Sequence, residues 1–250
     1  MTKEDKLQIK ILENKIAQGN LDAMFEYACL YHNKFQNDIT AEVAAKMVEY
    51  YKICYRAGNL TAALNLGAMY YEGNFIPRDF KKAFKYYTIA TNSDDVDTEI
   101  RAWCNLGYCY YYGRDIPVDD GKAFNCYMHG VIVGDANCLY KIGDMYRYGR
   151  FVNKDEKLAV LFYEWALSNV YYIKEDVYPD VCRRIGECAL YGIGMKRNLK
   201  KALKMLTDAE TYTYKKIQNK DPFAASLLPK IQEMLAETKK LLNGRKKNSK

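Results

Sequence analysis

LGYCYYYGRDIPVDDGKAF, residues 106–124, packs four tyrosines, three glycines and a cysteine into nineteen positions. Such density suits either a ligand site or one unit of a repeated scaffold. The rest of the chain decides between them. Taking Gly107 as origin, the same glycine recurs in LNLGAMYYEG (Gly67), YKIGDMYRYG (Gly143) and RRIGECALYG (Gly186). A second glycine follows six residues later each time, at Gly73, Gly113, Gly149 and Gly192. Six residues further on stands a residue type that caps helix N-termini: Asp79, Asp119, Asp155 and Asn198. Alanine comes ten residues after the second glycine, at Ala83, Ala123, Ala159 and Ala202, and a small residue seven beyond that, at Ala90, Gly130, Ala166 and Ala209. Five columns agree in four copies without a gap, which is the signature of a repeat architecture.

A degenerate copy precedes these four. Gly19-Asn20 matches Gly58-Asn59 and Gly134-Asp135, which puts Ala28 at the first origin. Tyr50-Tyr51 then align with Tyr86-Tyr87 across a longer loop. Extra length also falls between units, at residues 93–98 and 168–179.

Each unit reads as a helical hairpin. Apolar residues at −5, −1 and +3 (Ala62, Leu66, Tyr70; Ala102, Leu106, Tyr110) form a stripe at helical spacing. A glycine inside a helix costs roughly 0.5–1 kcal/mol against alanine. Four in register imply a compensating gain, and close approach of the second helix supplies one. The second glycine ends the first helix in the left-handed conformation. The capping Asp or Asn then opens the second. Gly107, Tyr110, Gly113, Asp119 and Ala123 are thereby scaffold positions.

The pattern A-x3-LG-x2-Y-x2-G followed by D-x2-KA-x2-YY-x2-A resembles the Sel1-like repeat family, relatives of the tetratricopeptide repeats, over residues 19 to about 210. The last copy departs at +3, where Ala189 replaces tyrosine, and the first departs at its origin. The resemblance implies an all-α, right-handed α-α superhelix (solenoid) acting as an interaction scaffold. The expected organisation is a single solenoid over 1–243, with an N-terminal capping helix 3–17, repeats 19–57, 58–92, 98–133, 134–168 and 177–211, a C-terminal capping helix 222–242, and a basic disordered tail 244–250. The capping helices carry apolar sides made of Leu7, Ile11, Leu12 and Ile16, and of Leu227, Ile231, Leu235 and Leu242.

Composition narrows the function. The net charge is +7, but residues 239–250 hold six basic side chains and no acid, so the body is nearly neutral. A basic groove that tracks nucleic acid is not indicated. No apolar run approaches the roughly 18 residues needed to span a membrane. The start, MTKEDKLQIKILENK, has no apolar leader segment, so the expected compartment is the cytoplasm, with non-classical secretion or host delivery as the alternative. The eight cysteines form no CxxC and do not recur in register, and His32 and His129 stand in no metal-ligand spacing, so packed free thiols are expected and no cofactor or metal is. A Gly-rich dinucleotide loop, a P-loop, HExxH and GxSxG are all missing, and the reading is of a protein that is not an enzyme.

Function then falls to surface positions that do not repeat. By analogy with the tetratricopeptide groove, positions −3, +1, +4 and +5 about each origin line the concave side. They hold Leu64, Ala68, Tyr71 and Glu72; Cys104, Tyr108, Tyr111 and Tyr112; Tyr140, Asp144, Arg147 and Tyr148; and Arg183, Glu187, Leu190 and Tyr191. Tyrosine and arginine recur there, the residue types enriched at binding hot spots. The candidate binding residues are Tyr71, Tyr108, Tyr111, Tyr112, Tyr140, Arg147, Tyr148, Arg183, Glu187 and Tyr191, lining a tyrosine-rich groove for a peptide or partner protein. Arg147 and Arg183 alone are fewer cations than capture of a C-terminal carboxylate calls for. Two alternatives stand beside this reading: a nucleic-acid-associated protein using its basic tail, and a secreted effector or regulatory scaffold that recruits an enzyme.

Overall fold

The computed structural model describes residues 1–170 and 177–247, the side chains of 245–247 excepted. Among these residues it is all-α, built of helical hairpins in the manner of a solenoid, with no strand. The chain separates into two compact units, Met1–Pro117 and Val118–Lys250, where the sequence reading takes residues 1–243 together. The boundary falls inside the third hairpin. The first unit holds α1 (Lys3–Ile16), α2 (Leu21–Asn33), α3 (Ala41–Arg56), α4 (Leu60–Glu72), α5 (Phe80–Ala90) and α6 (Val96–Tyr112), with a short 3-10 turn at Gln36–Asp38. The second holds α7 (Asp120–Val131), α8 (Ala136–Tyr148), α9 (Glu156–Asn169), α10 (Tyr178–Tyr191), α11 (Leu199–Gln218) and α12 (Ala224–Lys247).

The repeated columns act as their chemistry requires. Asp79, Asp119, Asp155 and Asn198 each accept a hydrogen bond from the amide three residues on, at 2.9–3.0 Å. Such a cap is worth about 1 kcal/mol against alanine. Gly73, Gly113, Gly149 and Gly192 end their helices with φ between 65° and 74°. A further backbone bond closes the loop: the amide at +12 donates to the carbonyl at +3, from Asp79 to Tyr70, Asp155 to Tyr146 and Asn198 to Ala189, at 2.8–3.0 Å. That bond needs no side chain, so Ala189 stands where the other copies have tyrosine without opening the hairpin.

The origin glycine lets the two helices meet. A Cβ on Gly67 would lie 2.7 Å from the Tyr87 ring, one on Gly143 2.6 Å from the Tyr163 ring, and one on Gly186 2.7 Å from Leu206 Cγ. These partners all sit twenty residues after their origin. Tyr51, Tyr87, Tyr127 and Tyr163 are among the largest fully buried side chains in the protein. Much of the tyrosine content is therefore core: each ring supplies a large apolar area, and at Tyr87 and Tyr163 the ring occupies the space that the glycine opposite leaves open.

The ends differ in part from the sequence expectation. The side of α1 that packs inward is Asp5, Ile9 and Leu12, while Leu7 and Ile11 are exposed. The rotation follows from Asp5, which forms a capping box with Thr2 and an ion pair at 2.7 Å with Lys34, the residue that follows the end of α2. At the other end α12 buries Ile231, Met234 and Leu235, with Leu242 half-buried, against α11. Pro229 lies inside this helix, and the helix runs to Lys247, past Gly244 where the sequence reading begins the tail. Residues 248–250 and half of the linker 168–179, residues 171–176, lie outside the described residues.

Gly143→Ala is expected to destabilise the protein by about 1–3 kcal/mol, the usual cost of overpacking a filled core. Gly244→Ala, with nothing within 4 Å of the added carbon, is expected to change stability by less than about 1 kcal/mol, and in the stabilising direction. Urea denaturation of the two variants beside the parent measures both.

Candidate functional site

In the first unit the groove columns gather around the end of α6. Tyr108 and Tyr112, one helical turn apart, stack with ring centroids 6.1 Å apart and planes within 4°. Tyr111 meets Tyr112 edge-on at 4.9 Å but is itself buried. The guanidinium of Arg114, just past the Gly113 cap, lies 5.0 Å from the Phe80 ring, 5.2 Å from Tyr112 and 5.9 Å from Tyr71. A cation over aromatic faces is attracted by their quadrupoles, so Arg114 pins this cluster to the start of α5. Tyr71 is half-buried, and burial raises its hydroxyl pKa against the opposing pull of Arg114. Tyr112 is the exposed member, at 46%. Leu64 and Cys104 are buried and belong to the core.

In the second unit the columns carry charge instead. Arg184 Nε and Nη2 each donate to Asp144 at 2.6 Å, a bidentate fork, and its guanidinium lies 4.3 Å from the Tyr140 ring. Tyr163, the ring that packs on Gly143, donates its hydroxyl to Asp144 at 2.8 Å. Lys141 stands 3.9 Å away, itself fully buried. Burial would raise the Asp144 pKa, but Arg184 and Lys141 outweigh it and hold the carboxyl at about 2. One turn along α10, Glu187 accepts from Arg147 at 3.0 Å and is approached by Arg183 at 3.5 Å and by Lys230 of α12 at 3.4 Å. Burial again opposes ionisation, and the hydrogen bond and charge of Arg147, with Lys230 and Arg183, lower the pKa regardless.

The sequence-derived residues thus divide by depth. Tyr111, Tyr140, Arg147 and Glu187 are buried, as is Asp144. Tyr71, Tyr108 and Arg183 are half-buried. Tyr112, Tyr148 and Tyr191, all at +5 beside the helix-ending glycine, are exposed at 46%, 54% and 48%. Tyr148 lies over Arg147, centroid to guanidinium 5.2 Å. Tyr191 donates to Glu237 of α12 at 2.8 Å.

Sequence columns missed Arg184, Lys230 and Glu237. Arg184 lies two residues before its origin, a position filled by Asn65, Asn105 and Lys141 in the other copies, so no column singles it out. Lys230 and Glu237 lie on a helix without the glycine pattern, and only its packing along α11 and α10 brings them to the site.

The carboxylates Asp144 and Glu187 are committed to cations and held below their ordinary range, which makes them weak proton acceptors at neutral pH. Burial pushes the thiols of Cys182 and Cys188 up to about 12 and 11, so both stay protonated there and lack the thiolate that attack requires. No helix among the described residues is long and apolar enough to cross a membrane.

The model of the Sel1 repeat family matches residues 60–95, 101–127, 136–168 and 179–209, about half of the chain and the four regular copies. Among solved structures, a protective antigen present in uropathogenic Escherichia coli strains and displaying an SLR fold superposes with a TM-score of 0.62 at 22% identity. The match covers 82% of this chain and 41% of that one, so the chain spans about two-fifths of that protein's length. A Sel1 repeat protein from Oxalobacter formigenes gives a TM-score of 0.61 at 20% identity, over 90% of this chain and 88% of that one. At these identities the likeness concerns the fold. No curated protein matches the sequence.

Asp144→Asn is expected to cost about 3–5 kcal/mol, because it removes the counter-charge at 2.6 Å from the buried Arg184 and leaves only Asp180 at 3.4 Å. The parent should also lose stability as pH falls from about 4 towards 2. Asp144 is depressed in the folded state, so its contribution is complete above the unfolded carboxyl pKa and disappears through the folded one. Chemical denaturation at pH 7 and across pH 2–5 reads both effects, and the acid slope should be shallower in the Asn variant.

Proposed function

Since the chain belongs to the Sel1 repeat family, whose members generally act as non-enzymatic protein-interaction scaffolds, we propose that it is an adaptor that binds a peptide or partner protein through the tyrosines of its first helices. The observation that carries this reading is the +5 column. Tyr112, Tyr148 and Tyr191 keep about half their surface in solvent, although tyrosine is used as core elsewhere in the hairpins of the first two, at Tyr127 and Tyr163. Half-exposed tyrosines with their bodies held by neighbours lose few torsions on binding and offer both an apolar face and a hydroxyl. Tyr112 is held by the Tyr108 stack and Arg114, Tyr148 by Arg147, and Tyr191 by Glu237. The partner is a protein or peptide, and no small-molecule cofactor enters the proposal. In the same reading the protein works in the cytoplasm, where eight cysteines packed as thiols stay reduced.

The test is affinity capture followed by mass spectrometry. It compares the parent with Tyr108→Ala/Tyr112→Ala, with Tyr148→Ala, and with all three together, after circular dichroism shows each to be folded. The expected outcome is loss of the same partners from the variants and their retention by the parent. Retention by the triple variant would move the binding surface elsewhere on the molecule.

A further inference from the structure

Three cations of the second unit converge on one carboxylate. Arg147 on α8, Arg183 on α10 and Lys230 on α12 all lie within 3.0–3.5 Å of Glu187. The nearest other carboxylates are already engaged: Asp144 and Asp180 by Arg184, Asp144 also by Lys141, and Asp180 by Lys216, which bridges to Asp221 as well. Glu187 thus faces three cations, of which Lys230 keeps 55% of its side chain in solvent. Arg183 Nε is buried and has no hydrogen-bond partner among the described residues. Tyr148 stands beside the cluster, its ring against Arg147.

We propose that the Arg147–Arg183–Lys230 cluster seats an acidic side chain, Glu or Asp, from an extended segment of a protein partner, with the Tyr148 ring packing on the same segment. The proposal deepens the adaptor reading and rests on it. Glu187 shows that a carboxylate fits between these cations. Their planar and ammonium donors have capacity for a second, since one carboxylate cannot neutralise three charges. The charges further along α12 separate this ligand from a polyanion. Glu233 and Glu237 lie three and seven residues after Lys230 and act on Tyr191, which donates to Glu237. A nucleic acid strand, charged at every residue, would run from the cations into these acids. A peptide with an isolated acidic residue followed by neutral or basic ones would not.

The experiment is fluorescence anisotropy of the full chain with three labelled probes: an Ala/Gln dodecapeptide with two central glutamates, the same peptide with glutamines there, and a uridine dodecamer. The glutamate peptide is expected to bind at least about fivefold tighter than its glutamine counterpart, with the difference shrinking at high salt. In Lys230→Gln and in Arg183→Gln, each checked for folding, the difference should fall below about twofold. Lys230 is half-exposed on a helix surface, so its replacement leaves the core untouched. Equal affinity for the two peptides, or discrimination that survives both substitutions, overturns the proposal, and so does tighter binding of the uridine oligomer. If the two peptides bind equally and Tyr148→Ala weakens both, the acidic seat is overturned while the groove stands. If neither peptide binds, the acidic seat is overturned, and the partner capture alone decides the groove.

Discussion

The hairpins with origins at Gly67, Gly143 and Gly186 depend on a distance between two helices that only glycine permits. At Gly67 and Gly143 a tyrosine ring from the second helix occupies the volume a Cβ would need, and at Gly186 a leucine does. A helical glycine is intrinsically unfavourable, so its recurrence is explained by what it admits: a fully buried ring that spans the hairpin and supplies much of its apolar area. The caps and the loop-closing backbone bond fix where each helix begins and ends. The glycine fixes how close the two can be, and the small residues Ala83, Ala159 and Ala202 extend that proximity along the second helix, where all three are fully buried.

In the second unit the same packing is coupled to charge. Tyr163 packs on Gly143 with its ring and bonds Asp144 with its hydroxyl, so one side chain belongs to the core and to the ion network at once. Burying ions is costly, and a pair that merely balances that cost adds little stability. What such a network does provide is a fixed geometry, because Arg184 can satisfy Asp144 and the Asp180 carbonyl in one arrangement only. The surface above it, Tyr148 and Lys230 included, is consequently presented on a rigid base.

How far the sequence could be read follows from what repeats. The glycine, cap and alanine columns are local and periodic, and the helix starts and ends they mark are present, while α11 runs to Gln218, seven residues past the 211 expected from the pattern. The site was legible only in part. The position of Tyr112, Tyr148 and Tyr191 at the rim of their hairpins follows from register, but the burial of Tyr140, Arg147 and Glu187 does not. Those side chains point into a space closed by Arg184, Tyr163 and α12, and the contributions of non-periodic residues leave no spacing to detect. The inward turn of α1 was hidden for a similar reason: an aspartate paired with Lys34 occupies the buried face, where a hydrophobicity pattern counts it as solvent-facing.

The closing helix α12 lacks the repeat pattern yet reaches the groove residues of α10, through Lys230 to Glu187 and Glu237 to Tyr191. Arrays of this kind are assembled from interchangeable units, and lengthening one is usually regarded as neutral extension of a surface. Here it is not neutral. A hairpin inserted between α11 and α12 would carry these two side chains away from their partners, leaving Glu187 with two arginines and Tyr191 without its acceptor. The number of copies and the ion pairing of α10 are therefore physically coupled.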